Sequence, residues 1–262
     1  MVIGQFGILQ VMAVTVTDEG PVRVVVLDRP EVRGAVDGEH AAALREAFEE
    51  LDARPELSVG VLTGSHGHFC AGADLLAVRS GAMPVFEPGQ GPGPMGPTRL
   101  QLGKPVIAAV EGHAVAGGLE LALWCDLRVA SETAVFGVYC RRWGVPLIDG
   151  GTIRLPRIVG QGVALDLVLS GRSVLPDEAL RIGLVNRVVT AGGALAEAVR
   201  WAHELAALPQ LCARQDRLSL LEQWGMSLDD AFANEWEHGR VSLTEAREGA
   251  ARFAAGQGRH GT

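Results

Sequence analysis

The chain opens with two runs in which β-branched apolar residues dominate, VMAVTVT (11–17) and VRVVVLD (22–28). They flank the turn residues Asp18-Glu19-Gly20-Pro21, and the pattern predicts a hairpin. The period then changes. In DGEHAAALREAFEELDARP, Ala42, Leu44, Ala47, Phe48 and Leu51 form one helical face, Asp37 is placed to cap it, and Pro55 ends it. Val59 to Thr63 predicts a short buried strand, followed by the glycine-rich turn HGHFCAGADL. KPVIAAVEG predicts another strand, AGGLELALWCD a helix, and LRVASETAVFG two further extended pieces. Strand, turn and helix recur without exact repetition, which predicts an α/β fold.

Two segments break this rhythm. Residues 81–97, GAMPVFEPGQGPGPMGP, hold five Gly and five Pro, which excludes a helix or central strand and predicts a mobile surface loop. From about Gly193 onward three amphipathic stretches replace the strands. Their apolar stripes call for a partner, either the core or another subunit.

Composition narrows the function. The 262 residues suffice for one large domain or one domain with an appendage, and 48% are hydrophobic. The net charge of −8 disfavours non-specific nucleic-acid binding. No apolar run approaches the roughly 18 residues of a membrane span, and the N-terminus lacks the basic start of a secretory signal. Cys70, Cys125, Cys140 and Cys212 are scattered, so neither a zinc site nor a disulfide framework is expected. A reduced, cytoplasmic protein is the simplest reading. His66-x-His68 lacks a third metal ligand and reads as part of a turn.

Two Gly-rich segments could carry chemistry, FCAGADL (69–75) and EGHAVAGGLELALWCDLRVA (111–130). Glycine after a strand lets backbone approach a ligand closely, and a helix start at Gly117-Gly118 adds its free N–H groups and dipole. Two such turns side by side would hold an oxyanion, although Gly-Gly before a helix also serves close packing.

These residues, with LDRPEVRGAV (27–36), KPVIAAVEGHAVAGGLELALWCDLRVAS (104–131), the FG, GGT and LPRIVG elements within 136–160, and EALRIGLVNRVV (178–189), resemble the enoyl-CoA hydratase/isomerase (crotonase) superfamily. The resemblance runs in family order over roughly residues 30–190. It implies a spiral core of β-β-α turns over 1–192 and a helical trimerisation region over 193–262, giving homotrimers or hexamers. It implies an acyl-CoA thioester substrate, with coenzyme A part of the substrate and no separate cofactor or metal.

The resemblance also assigns roles. Ala73 and Gly117 would supply the backbone N–H groups of an oxyanion hole at the thioester carbonyl. Ala71, Asp74 and Leu75 would meet the CoA adenine, and Arg33 would lie near its phosphates. Gly34 stands where the family usually has Asn. Glu120, three residues after Gly117, matches the first of two catalytic glutamates and would act as a base on water or substrate. Its bland alternative is a solvated or capping first-turn glutamate.

The second glutamate is missing. The family pattern F-G-x-P-E reads Phe136-Gly137-Val138-Tyr139-Cys140 here. A thiol is a poor substitute for a carboxylic acid, unless Arg141 and Arg142 point inward and lower its pKa. Cys140 is otherwise a pocket-lining residue. Asp149 is the next acid, and either joins the site or caps a helix opening at Gly150-Gly151-Thr152. Tyr139 is a candidate donor, His113 a lining residue, and Trp124 and Trp143 packing residues. The 81–97 segment falls where the family has a variable loop over the acyl pocket. The reaction implied is addition of water to a 2-enoyl-CoA. Isomerisation, thioester hydrolysis and decarboxylation are alternatives given the missing acid, and a non-catalytic CoA-ester-binding subunit is the alternative of another class.

Overall fold

The computed structural model describes residues 14–256, and divides after His203 into two compact units. In the first, the opening hairpin is β1 (Val14–Glu19) against β2 (Val22–Leu27), joined at Gly20-Pro21. β1 runs through Asp18 and Glu19, so the turn is tighter than the four-residue cluster suggested; the start of the expected first strand, 11–13, lies outside the described residues. Asp37 caps α1 (Gly38–Ala53), its carboxylate accepting from the N–H groups of Glu39 and His40. The buried face is Ala41, Leu44, Ala47, Phe48 and Leu51, so Ala41 replaces the expected Ala42.

The chain continues through β3 (Val59–Gly64), α2 (Leu75–Ser80), β4 (Val106–Val110), β5 (His113–Val115), α3 (Gly117–Trp124), β6 (Leu127–Ser131) and β7 (Val135–Gly137). Then come α4 (Gly151–Val159), α5 (Gln161–Ser170), β8 (Ser173–Val174), α6 (Pro176–Arg181) and β9 (Arg187–Val189). One six-stranded sheet has the order β1-β2-β3-β4-β6-β9 and is parallel from β2 onward. A three-stranded sheet, β5-β7-β8, is separate. The expected strand ends before Gly112 as β4, and β5, which the sequence pattern did not predict, follows Gly112 and joins the other sheet.

This division makes the spiral. β4 and then β6 join the large sheet, while β5 and then β7 join the small one. Isolated parallel pairings extend the inner ladder to earlier turns, Val36 with Ala73 and Cys70 with Ala114. Successive turns therefore touch through backbone at the glycine-rich segments. β2, β3 and β4 are almost wholly buried, as expected of parallel strands covered on both faces.

The 81–97 segment departs from the expectation of a surface loop. Its first part is largely exposed, but Gly93 to Thr98 is buried, and Met95 is 1% exposed. Helix α2 was also not anticipated; Asp74 caps it by accepting from Leu76 and Ala77 N–H. The helical expectation at the C-terminus corresponds to α7 (Ala194–Ala206), α8 (Gln210–Glu222) and α9 (Leu228–Ala254), with α8 and α9 packed on each other in the second unit. No helix among the described residues is long and apolar enough to cross a membrane.

Close backbone approach sets a sharp requirement at Gly118, where a Cβ would fall 2.1 Å from the carbonyl oxygen of Cys70. Gly118→Ala should therefore lose about 2 kcal/mol or more, although alanine is the better helix former. Gly239 lies inside α9 with nothing within 4 Å of its would-be Cβ. Gly239→Ala should gain roughly 0.5–1 kcal/mol. Denaturant melts of the two variants beside the parent check both signs.

Candidate active site

The two glycine-rich turns meet. Gly72 lies so close to the start of α3 that a Cβ there would be 2.9 Å from Gly117 N. Val115 N–H donates to Cys70 O at 3.1 Å, and Val36 pairs with the other side of the first turn through Gly72 O and Asp74 N. That pattern turns the Ala73 N–H away from Val36. Gly117 is the first residue of α3, so its N–H has no partner within the helix. Among the described residues no hydrogen bond engages the N–H of Ala73 or Gly117, and both residues line one cavity of about 650 Å³.

The residue before Gly117 is strained. Ala116 has φ 53° and ψ −125°, a region that costs a side-chain-bearing residue about 1–3 kcal/mol. Its N–H is held by Gly137 O at 2.9 Å. This fixes the direction in which the Gly117 N–H points.

Glu120 lies one turn into α3 on the wall of the same cavity and is 2% exposed. It is therefore neither a solvated nor a capping residue. Its Oε1 accepts from the N–H of Asp149 at 2.9 Å and of Gly151 at 2.8 Å. These bonds leave Oε2 for a ligand. Burial pushes the Glu120 carboxyl up to about 7, reinforced by the charge of Asp149 and opposed by the two N–H donors and by Arg154.

Asp149 also lines the cavity, 4% exposed. It does not cap α4: the cap is Gly150, with no side-chain bond. The Asp149 Oδ1 instead accepts from Met95 N–H at 3.0 Å and from the Thr98 hydroxyl. Burial raises its carboxyl above the usual range, against these two donors and the charges of Arg99 and Arg154. Arg154 closes the arrangement by donating to the carbonyls of Asp149 at 2.9 Å and Thr98 at 2.7 Å.

Cys140 lines the cavity and is buried. Its thiol is pushed up by burial and by the negative charge of Glu120, with Arg141 opposing. The neighbouring arginines do not turn inward to activate it. Arg141 donates to Val168 O, and Arg142 donates to Gly171 O with its guanidinium 3.9 Å from the centre of the Tyr139 ring. Tyr139 lines the cavity, but its hydroxyl is paired with Ser173 at 2.7 Å.

Of the other sequence candidates, Ala71, Leu75 and Arg33 line the cavity. Asp74 is occupied by capping α2 and by an ion pair with Arg29 at 3.0 Å. His113 lines the cavity and approaches His68, Nδ1 to Nδ1 3.4 Å; burial holds both imidazoles below their ordinary pKa. Trp124 packs edge-on against Phe48, whereas Trp143 is 72% exposed at the cavity, contrary to a packing role. Sequence reasoning missed Met95, Thr98 and Arg154. Arg154 stood inside a matched segment, beside the LPRIVG element; the other two lay in or next to the Gly/Pro stretch, where no periodicity marks a buried residue.

Comparison with known proteins identifies the family. The sequence profile of the Enoyl-CoA hydratase/isomerase family matches residues 17–255. Enoyl-CoA hydratase EchA19 of Mycobacterium tuberculosis is 35% identical over 246 residues, 90% of this chain and 91% of its own. Carnitinyl-CoA dehydratase of Salmonella typhi is 39% identical over 191 residues, 72% of either chain. The crystal structure of enoyl-CoA hydratase EchA1 from Mycobacterium marinum has a TM-score of 0.87 at 36% identity, covering 92% of this chain and 95% of that one. With the profile spanning nearly the whole chain and these likenesses in both sequence and fold, the protein belongs to the enoyl-CoA hydratase/isomerase family and is an acyl-CoA enzyme of the crotonase superfamily.

Proposed function

We propose that the chain is an enoyl-CoA hydratase-type enzyme that adds water across the double bond of a 2-enoyl-CoA, with Glu120 and Asp149 as its acid–base pair. The observation that carries this reading is that two buried carboxylates line one cavity beside two unengaged backbone N–H groups. The relatives named as an enoyl-CoA hydratase and a carnitinyl-CoA dehydratase support it, since addition and loss of water are one reaction run in two directions.

The chemistry follows from charge. Two neighbouring carboxylates in a desolvated site do not both ionise readily, so the pair holds one proton near neutral pH. Glu120, pushed up to about 7, is its holder. Asp149, whose ionised form is supported by Thr98 and Met95, takes a proton from water. The oxygen of that water bonds to the β-carbon, and the double-bond electrons move to the thioester as an enolate. Its oxygen accepts from Ala73 and Gly117 N–H, whose positions need not change as charge develops. Glu120 then gives its proton to the α-carbon, and the pair is reset through solvent. This reverses the base role that the sequence alone suggested for Glu120. Cys140 stays a protonated thiol and moves no proton. Ala71, Leu75 and Arg33 are proposed to face the CoA moiety.

The second unit supports a homotrimer or a hexamer of two trimers. Trp224, Phe232 and Trp236 are all exposed on it, among several exposed leucines, in a single chain. Sedimentation should give three or six copies of the 27.6 kDa chain; a monomer would refute the assembly.

Loss of the conjugated thioester absorbance of 2-enoyl-CoAs measures hydration. Glu120→Gln and Asp149→Asn keep the acceptor oxygens that bind the surrounding N–H groups, so both should fold. Each should lose about 10²–10⁴-fold in kcat. If Asp149→Asn keeps the parent rate, the pair is not the machinery; if the parent itself hydrates no 2-enoyl-CoA, single-base isomerisation of a 3-enoyl-CoA becomes the better reading.

The pH profile separates the same two readings. A singly protonated pair is lost as Glu120 ionises, so kcat/KM for hydration should fall as pH rises past about 7. A single ionised base would make it rise instead. Stability carries the same signature. The folded Glu120 holds its proton between its unfolded value of 4.5 and about 7, while the unfolded chain has released it. Folding stability therefore falls across that window, by roughly 3 kcal/mol in all. Glu120→Gln should accordingly be more stable than the parent at pH 8, with the gain vanishing at pH 4 in thermal melts.

A further inference from the structure

The cavity is much larger than the reacting atoms require. At roughly 30 Å³ per water-sized group, 650 Å³ holds on the order of twenty such groups. The thioester carbonyl and the two carbons that take up water use only three or four. Part of the remainder serves the thiol arm of coenzyme A. The rest is walled by side chains that hydration does not use.

Those walls come from two segments. The Gly/Pro stretch supplies Met83, Val85 and Met95, and the stretch after β7 supplies Trp143, Val145 and Ile148. All six are apolar or aromatic. The charged residues on the cavity are Arg33, Glu120 and Asp149, each already given a role toward CoA or the reaction, and His113 is held toward its neutral form by burial. Val85 is 63%, Trp143 72% and Ile148 41% exposed, so the apolar surface rises out of the cavity onto its rim. Large apolar side chains exposed together around a cavity are what a ligand with apolar bulk covers.

Met95 ties this wall to the chemistry. A Cβ on Gly117 would lie 2.7 Å from the Met95 Sδ, so the thioether rests on the oxyanion turn. Met95 N–H also holds the Asp149 carboxylate. The apolar wall therefore begins at the reacting carbons and is continuous with the site. Cys140, small and protonated, stands where the family pattern has a carboxylic acid and keeps that side of the cavity uncharged.

We infer that the acyl group this enzyme takes is a bulky, uncharged apolar one, a chain of about eight or more carbons or a ring of similar size, rather than a four-carbon or charged acyl group. This rests on the proposed acyl-CoA chemistry, but its test does not depend on turnover. Saturated acyl-CoAs from butyryl to dodecanoyl are titrated into the intact protein by calorimetry, and the matching 2-enoyl-CoAs are assayed for hydration.

Affinity should rise steeply between the four- and ten-carbon thioesters, up to about fourfold for each methylene buried. Trp143→Ala and Val145→Asp, on neighbouring parts of one wall, should flatten that rise, with circular dichroism and thermal melts checking that both variants fold. Affinity that is flat or falls with chain length overturns the inference. So does a rise that neither folded variant alters, because the chain would then lie elsewhere. If binding strengthens with length but no enoyl-CoA is hydrated, the acyl preference stands and the hydratase reading fails.

Discussion

Two backbone N–H groups, those of Asp149 and Gly151, converge on one oxygen of Glu120. The site depends on this contact. Glu120 comes from the first turn of α3 and its donors from the entry to α4, so a single carboxylate oxygen binds two segments that line the cavity. The contact spends only Oε1. It orients the carboxylate, leaves Oε2 to the cavity, and carries Asp149 into the wall because the donor N–H is that of Asp149 itself. A carboxylate buried this deeply would otherwise be an uncompensated cost; two charge-directed hydrogen bonds offset part of it, and the rest appears as a raised pKa.

Asp149 is fixed just as tightly, from three directions. Its N–H goes to Glu120, its carbonyl receives Arg154, and its side chain receives Thr98 and Met95. Arg154 also donates to Thr98 O, which closes a ring through Asp149, Thr98 and the guanidinium. Close approach is needed at one more point: a Cβ on Gly93 would be 2.2 Å from the Thr98 hydroxyl oxygen and 2.5 Å from Asp149 Oδ1. The glycines and prolines of the 81–97 stretch thus serve a purpose their composition hides. They let a segment without regular structure pack its backbone against a buried carboxylate.

This explains what the sequence disclosed and what it did not. The hairpin, α1 with its Asp37 cap, β3 and the helical C-terminus follow from local periodicity and capping chemistry, and these appear in the structure. The position of Glu120 was legible through the family resemblance, which places a glutamate three residues after Gly117, inside a helix the Gly117-Gly118 start had already predicted. The separate small sheet was not legible: β5, β7 and β8 have two or three residues each, too few for a period, and their pairing is settled by tertiary contact. Of the two readings open for Asp149, the cap fails for a related reason. Asp before Gly-Gly-Thr has the local signature of a helix start, but a buried partner set drawn from residues about fifty positions away outcompetes the cap.

Cys140 and Asp149 then read as one substitution rather than two. A carboxylic acid at position 140 would add a third acid to a cavity that already raises the pKa of two. Like charges in a desolvated space push one another toward protonation, so a third acid would either stay neutral or force a proton onto its neighbours. The proton count of the proposed pair would then no longer sit at one near neutral pH. A thiol avoids this. It is held protonated chiefly by burial, it fills the wall as a small apolar group, and the arginines beside it are committed to carbonyls elsewhere. The acid absent from the loop after β7 is therefore compatible with the proposed acid–base chemistry only because the next carboxylate along the chain lines the same cavity, its backbone N–H bonded to Glu120.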